Sequence, residues 1–198
     1  MRSILLSAFS LLLIQVPAVA AEPSAKDTTI VIGKRVGAIT HGMTILGLRT
    51  LYGAKNVKAA QLDGPEGTTL DGIRLFPGTD RELELIYNQE GDEKIVTDVV
   101  VVGSAWTFEC GLKVGMSIEE VERINGKPFK VAGFDWDYGG FANFEGGKLE
   151  RGVSVRFYPT AEQVSEKLSG DVQIKSTDKL LRAAKPVVQE RITVMLEK

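Results

Sequence analysis

A segment that occurs twice constrains this chain more than any other feature. Gly42-Met43-Thr44-Ile45 and Gly115-Met116-Ser117-Ile118 lie 73 residues apart, and at the same offset Leu48 meets Val121, Leu51 meets Ile124 and Gly53 meets Gly126. Ile39 falls on Leu112 upstream. A match that spans both ends of a segment as well as its apolar positions predicts one folding unit used in tandem, with a short helix at the head of each copy.

The helix ends follow from residue chemistry. Ser117 can accept a hydrogen bond from the Glu120 amide while the Glu120 carboxylate reaches back to the Ser117 amide, a reciprocal capping box. Met116 and Val121 flank that cap as a hydrophobic staple, and Met43 and Leu48 repeat it around Thr44. Gly126 and Gly53 supply the positive φ that ends a helix, with Pro128 barring continuation in the second copy. Each helix is therefore about eight residues long and shows one apolar stripe, Ile45/Leu48/Leu51 or Ile118/Val121/Ile124, which needs a sheet beneath it.

Strands are expected after each helix: 72–76, 82–87 and 94–102 in the first copy, and 131–136, 141–145 and 152–157 in the second, with Gly146-Gly147 as a hairpin tip. The second copy then carries an insertion at about 160–185, read as amphipathic helices at 160–168 and 177–184. A last strand, 191–196, is expected as the counterpart of 96–102, and a first strand is expected at 28–32. The resulting class is α+β, two tandem helix-plus-antiparallel-sheet repeats at 28–105 and 106–198.

The N-terminus reads as a cleaved signal peptide over 1–20. Arg2 precedes an apolar run from Ile4 to Val16 that is too short to span a bilayer, and Ala18 and Ala20 suit a signal peptidase. Removing 20 of the 198 residues leaves 178, enough to bury a core, with 21–27 as a flexible lead-in. The expected address is periplasmic or secreted. The first mature residue, Ala21, is not a cysteine, so no lipid anchor is expected, and the single Cys110 forms no intrachain disulfide. Cys110 is expected to fill core as a small apolar residue.

With 24 Lys and Arg against 26 Asp and Glu, no basic excess points to nucleic acid or anionic lipid. His41 is the only histidine, which excludes multi-histidine zinc sites. Asp135 and Asp137 lack the further oxygen ligands of a calcium loop, because Tyr138 and Gly139 stand where those would be needed. No metal and no cofactor are expected. Strand alternation would set Phe134, Trp136 and Tyr138 on one face and the two aspartates on the other. These aromatics, with Phe141 and Phe144, are the candidate binding residues: they are either core or an exposed recognition surface.

The Gly-Met-[Ser/Thr]-Ile motif, its helix, its glycine stop and the strands that follow resemble the helix-plus-sheet unit of the BamE family of outer-membrane assembly lipoproteins. Tandem use of the unit resembles the beta-lactamase inhibitor protein family. The second half is similar to a broad group of uncharacterised exported bacterial proteins through Asn125-Gly126-Lys127-Pro128-Phe129 and the residues 133–140. This resemblance implies a two-unit α+β sandwich with helices on one face of each sheet, and a role in binding a protein or an envelope component. The lipid-bearing cysteine of the first family and the disulfides of the second are missing, so neither specific function is implied. Two readings follow. One is an exported, soluble, non-enzymatic binding module whose partner is a protein or cell-envelope component, with no stable membrane insertion. The alternative is a small hydrolase or thiol enzyme that uses Cys110 and His41.

Overall fold

The structure, a computed structural model, describes residues 24–198. The expected signal peptide, 1–20, and the first part of the lead-in lie outside the described residues. The chain is α+β, dominated by antiparallel strands with three helices. Among the described residues no helix is long and apolar enough to cross a membrane.

In chain order, β1 (Thr29–Val31), β2 (Arg35–Val36) and β3 (Ile39–Thr40) lead into α1 (Ile45–Tyr52). Then come β4 (Val57–Asp63), β5 (Thr69–Leu75), β6 (Leu83–Glu90) and β7 (Glu93–Val101), an antiparallel meander. After β8 (Thr107–Phe108) the chain enters α2 (Ile118–Asn125), followed by β9 (Lys130–Ala132), β10 (Ala142–Asn143), β11 (Val153–Ser154) and β12 (Phe157–Pro159). The insertion contributes β13 (Gln173–Lys175) and α3 (Lys179–Ala183), and β14 (Pro186–Val188) and β15 (Ile192–Met195) finish the chain.

Both helices have the expected length and caps. Ser117 accepts from the Glu120 amide at 3.3 Å and Glu120 accepts from the Ser117 amide at 2.8 Å. Thr44 accepts from the Gly47 amide at 3.1 Å, but Gly47 has no carboxylate to return, so α1 carries half a box. Gly126 closes α2 in the left-handed region, whereas Gly53 (φ 83°, ψ 136°) leaves α1 in a conformation that is almost exclusively glycine's.

Each helix start is bonded to the strand at the far end of its half. The Gly42 amide donates to the Val96 carbonyl at 3.2 Å and the Val96 amide to the Met43 carbonyl at 2.9 Å. The Gly115 amide donates to Val188 and the Val188 amide to Met116, both at 2.8 Å. Val188, which bonds the start of α2, lies earlier than the 191–196 expected for the strand in this place. A continuous β7 is matched by β14 and β15 with a break between them, where Arg191 takes φ 70°.

β15 pairs antiparallel with β7, which gives a six-stranded sheet in the order β11-β15-β7-β6-β5-β4. Register places Ala59, Ile73, Leu85, Val99, Val194 and Val153 in one cross-strand row on the core face. Lys58, Arg74, Glu84, Val100, Thr193 and Ser154 form the adjacent row on the opposite face. The core face packs with Leu48 of α1, Ile118 and Val121 of α2, and Ile30, Val36 and Ile39 of the small sheet β3-β2-β1-β8, so one core unites both halves.

Several expectations fail for identifiable reasons. Residues 160–168 form a single 3-10 turn, Glu166–Leu168, in place of a helix. The Thr160 and Ala161 amides instead donate to the Ala184 carbonyl, both at 3.1 Å. The expected strand 131–136 stops at Ala132, because the next two amides bond to Val172 and Leu168 of the insertion. The strand expected at 141–145 shrinks to β10. Gly147 is no hairpin tip: the following Lys148 and Leu149 amides donate to Asn125, at 2.9 and 3.1 Å, folding that loop onto the end of α2. The lead-in is fixed from Ser24 onward. Arg81 stacks 4.3 Å from the Phe76 ring centre and donates to the Ala25 carbonyl at 2.6 Å, and Asp27 pairs with Arg35 at 2.7 Å.

Ser117→Ala should lower stability by about 1 kcal/mol, measured by urea unfolding at neutral pH. The Ser117 amide and hydroxyl hold the Glu120 carboxyl below the usual glutamate range. Its stabilisation is therefore present above the unfolded value and lost as pH falls through the lower folded one. The difference in stability between the wild type and Glu120→Ala should vanish in acid.

Candidate binding surface

The five aromatic candidates divide into two groups. Phe134 and Phe144 are buried, each 4% exposed. Phe144 sits 4.8 Å from the Phe129 ring, which in turn stacks 5.7 Å from Phe157. Trp136 is half-buried, while Tyr138 and Phe141 are exposed. The expected common face does not exist, because the chain leaves strand geometry at this point. The Phe134 amide donates to Leu168 and the Gly170 amide to Phe134, which draws the Phe134 ring inward. Asp135 then takes φ 64° and accepts from the Ser169 hydroxyl at 2.6 Å. That reversal throws residues 136–141 outward as a loop.

The loop is internally braced. Trp136 Nε1 donates to the Gly133 carbonyl at 2.8 Å, and the Gly139 amide donates to the Trp136 carbonyl at 2.9 Å. The Trp136 and Tyr138 rings meet edge to face with centres 5.4 Å apart. Gly140 has φ 81°, and a Cβ there would collide with the Phe157 carbonyl, so the loop returns to the sheet only through glycine. Arg156 fastens its far end: Nε donates to the Gly139 carbonyl at 2.6 Å and the guanidinium lies 5.2 Å from the Phe141 ring centre. The Tyr138 hydroxyl reaches Glu66, between β4 and β5, at 3.4 Å, so a loop of the second half touches the first.

Through Arg156 this loop adjoins the chain that follows β11. Arg156 and Tyr158 alternate with the buried Val155 and Phe157, and so point away from the core. Tyr158, 61% exposed, was not among the sequence candidates. Its signal was present, since 153–158 alternates apolar and polar and leaves Tyr158 out of phase with the core. In the middle of the outer row Glu84 is 2% exposed under two guanidinium groups, Arg74 at 3.3 Å and Arg191 in close contact. Arg191 comes from the second half and Glu84 from the first, so the pair also fixes the β7 and β15 seam.

Cys110 is exposed and not a core residue. It lies in an open hollow of about 550 Å³ with Met116, Glu120, Arg123, Ile124 and Lys148, against α2. Gly111 (φ 81°) turns the chain here after the Phe108 side chain has entered the core, which leaves Cys110 outside. His41 does not line that hollow; it precedes α1 and acts electrostatically on Glu90, near the end of β6. Among the described residues no hydrogen bond joins Cys110 to His41. Among the described residues no three histidine, cysteine or carboxylate side chains converge as a metal ion would require. No family model, curated protein or solved structure matches the chain.

The division of the aromatics is measurable. Phe134→Ala should cost about 3–5 kcal/mol of stability in urea unfolding. Tyr138→Ala should stay within about 0.5 kcal/mol of the wild type.

Proposed function

We propose that this chain is an exported, periplasmic or secreted binding module built from two tandem helix-plus-sheet units of the BamE and beta-lactamase-inhibitor-protein type. It recognises a protein or envelope component through the open sheet face and the loop around 136–144. The observation that carries this reading is the aromatic loop in which Tyr138 and Phe141 are exposed and Trp136 is half-buried, braced by Arg156. Rigid aromatic side chains bury large areas on binding at little cost in conformational entropy. The guanidinium and carboxylate groups of the outer row supply orientation. The bonds from Gly42 and Met43 to Val96, repeated by Gly115 and Met116 with Val188, support the tandem-unit part of the reading.

Trp136→Ala with Tyr138→Ala is the direct test. Wild-type protein immobilised against an envelope extract should retain a partner that the double variant loses, while the thermal midpoints of the two agree within a few degrees. Partner retention unchanged by the double substitution sinks this surface. The proposed address is checked separately: N-terminal sequencing of protein from an exporting host should start at Ala21.

A further inference from the structure

One flank of the second half is covered by the chain's own insertion. β13 pairs antiparallel along the outer edge of β9, with Gln173 opposite Ala132, Ile174 opposite Val131 and Lys175 opposite Lys130. Ile174 is 9% exposed. After β13, α3 reaches α2, where Arg182 Nη2 stands 2.8 Å from Glu122 and Nε 3.5 Å from Glu119. A strand on the edge and a cation on two glutamates complete that side of the unit.

The corresponding flank of the first half is bare among the described residues. β4 follows α1 as β9 follows α2, yet it pairs with β5 alone. Its far edge is seven residues long, has no proline and carries two alanines at its centre. Native proteins rarely leave such an edge without a partner, a cover or several charges. Ala59 lies on the core face opposite the buried Ile73 but is itself exposed. The positions 73 residues before Glu119 and Glu122 are Leu46 and Arg49. Leu46 is 74% exposed, more than any other large apolar side chain described, and Arg49, Lys55 and Lys58 are exposed around the same flank.

We infer that this flank docks an extended, acidic segment of a partner protein, which adds a strand to β4 as β13 does to β9. The segment sets an apolar side chain on Leu46 and a carboxylate on Arg49. The assignment of charge follows from the comparison within the chain. Where the flank presents Glu119 and Glu122, beside Arg123 and Lys127, the insertion sets Arg182 on the two glutamates; where it presents Arg49, Lys55 and Lys58 the matching occupant is negative. A second copy of the chain fits poorly, because β4 against itself brings together two flanks with the same cations. Main-chain hydrogen bonds along the edge supply affinity, and the Leu46 and Arg49 contacts supply selectivity. This surface differs from the aromatic loop, which meets the β4–β5 turn through Tyr138 and Glu66 and not the outer edge of β4.

The probe is a fluorescent peptide with the sequence of residues 171–184 carrying Lys179→Glu and Arg182→Glu, titrated with the full chain and read by anisotropy. Saturable binding is expected, weakened about tenfold by Leu46→Lys, which removes an apolar contact. Arg49→Glu should weaken it about fivefold and should strengthen binding of the unaltered 171–184 peptide. Both substituted side chains are exposed, so circular dichroism should not change, and Trp136→Ala with Tyr138→Ala should leave peptide binding intact. No binding at about 1 mM overturns the inference. Binding insensitive to both substitutions also overturns it, since the peptide would then be exchanging into β9. Self-association of the full chain that Leu46→Lys abolishes assigns the flank to a second copy and overturns it as well.

Discussion

An eight-residue helix cannot hold itself together in water, because the cost of nucleation exceeds what so few hydrogen bonds return. Here each such helix is held by two backbone bonds from the turn before its cap to a strand at the opposite end of its half, Val96 for α1 and Val188 for α2. The turn, the cap and the strand form together, and the apolar stripe of the helix is then aimed at the core face of the sheet. The long separation in sequence between the helix start and its anchor makes each half cooperative. The β7 and β15 pairing joins the two, with Ile192 opposite Val101 and Val194 opposite Val99 in one shared core.

Much of this was legible in the residues, and the limits of legibility are physical. α1 and α2 could be read to their ends because capping is local: Ser117, Glu120 and Gly126 determine one another within ten residues of chain. Strands β5, β6 and β7 were visible from alternation, though each boundary moved by up to three residues. Most of the failures involve long-range competition for backbone groups. Residues 160–168 have helical spacing, but Ala184 takes their first amides and Leu168 is drawn into the core. Phe134 and Trp136 look like neighbours on a strand face, and only the bonds from Phe134 to Leu168 and Gly170 reveal that the chain reverses between them. Cys110 was assigned to core by its residue type, when position after a β-strand end at Phe108 was the deciding factor.

The sheet has two different faces for the same reason that its rows differ. One row is aliphatic from Ala59 to Val153; the next carries Lys58, Arg74, Glu84, Thr193 and Ser154 around Val100. A buried carboxylate between two guanidinium groups is expensive to desolvate, and such arrangements specify geometry more than they stabilise. Glu84 engages Arg74 of β5 and Arg191, just before β15, at once, which ties β15 to the first half of the chain. The contact of Tyr138 with Glu66 crosses between halves at a second place.

The pairing of β7 with β15 has a consequence for biogenesis. β15, which lies between the edge strand β11 and β7 in the six-stranded sheet, is separated from β7 in sequence by about ninety residues, α2 and the insertion among them. As the polypeptide leaves the ribosome, β7 presents an unpaired edge until residues 192–195 emerge, and α2 has no anchor until Val188 does. Native closure therefore waits on residues far along the chain from β7, and a chain interrupted before residue 188 stays open, available to chaperones and proteases alike.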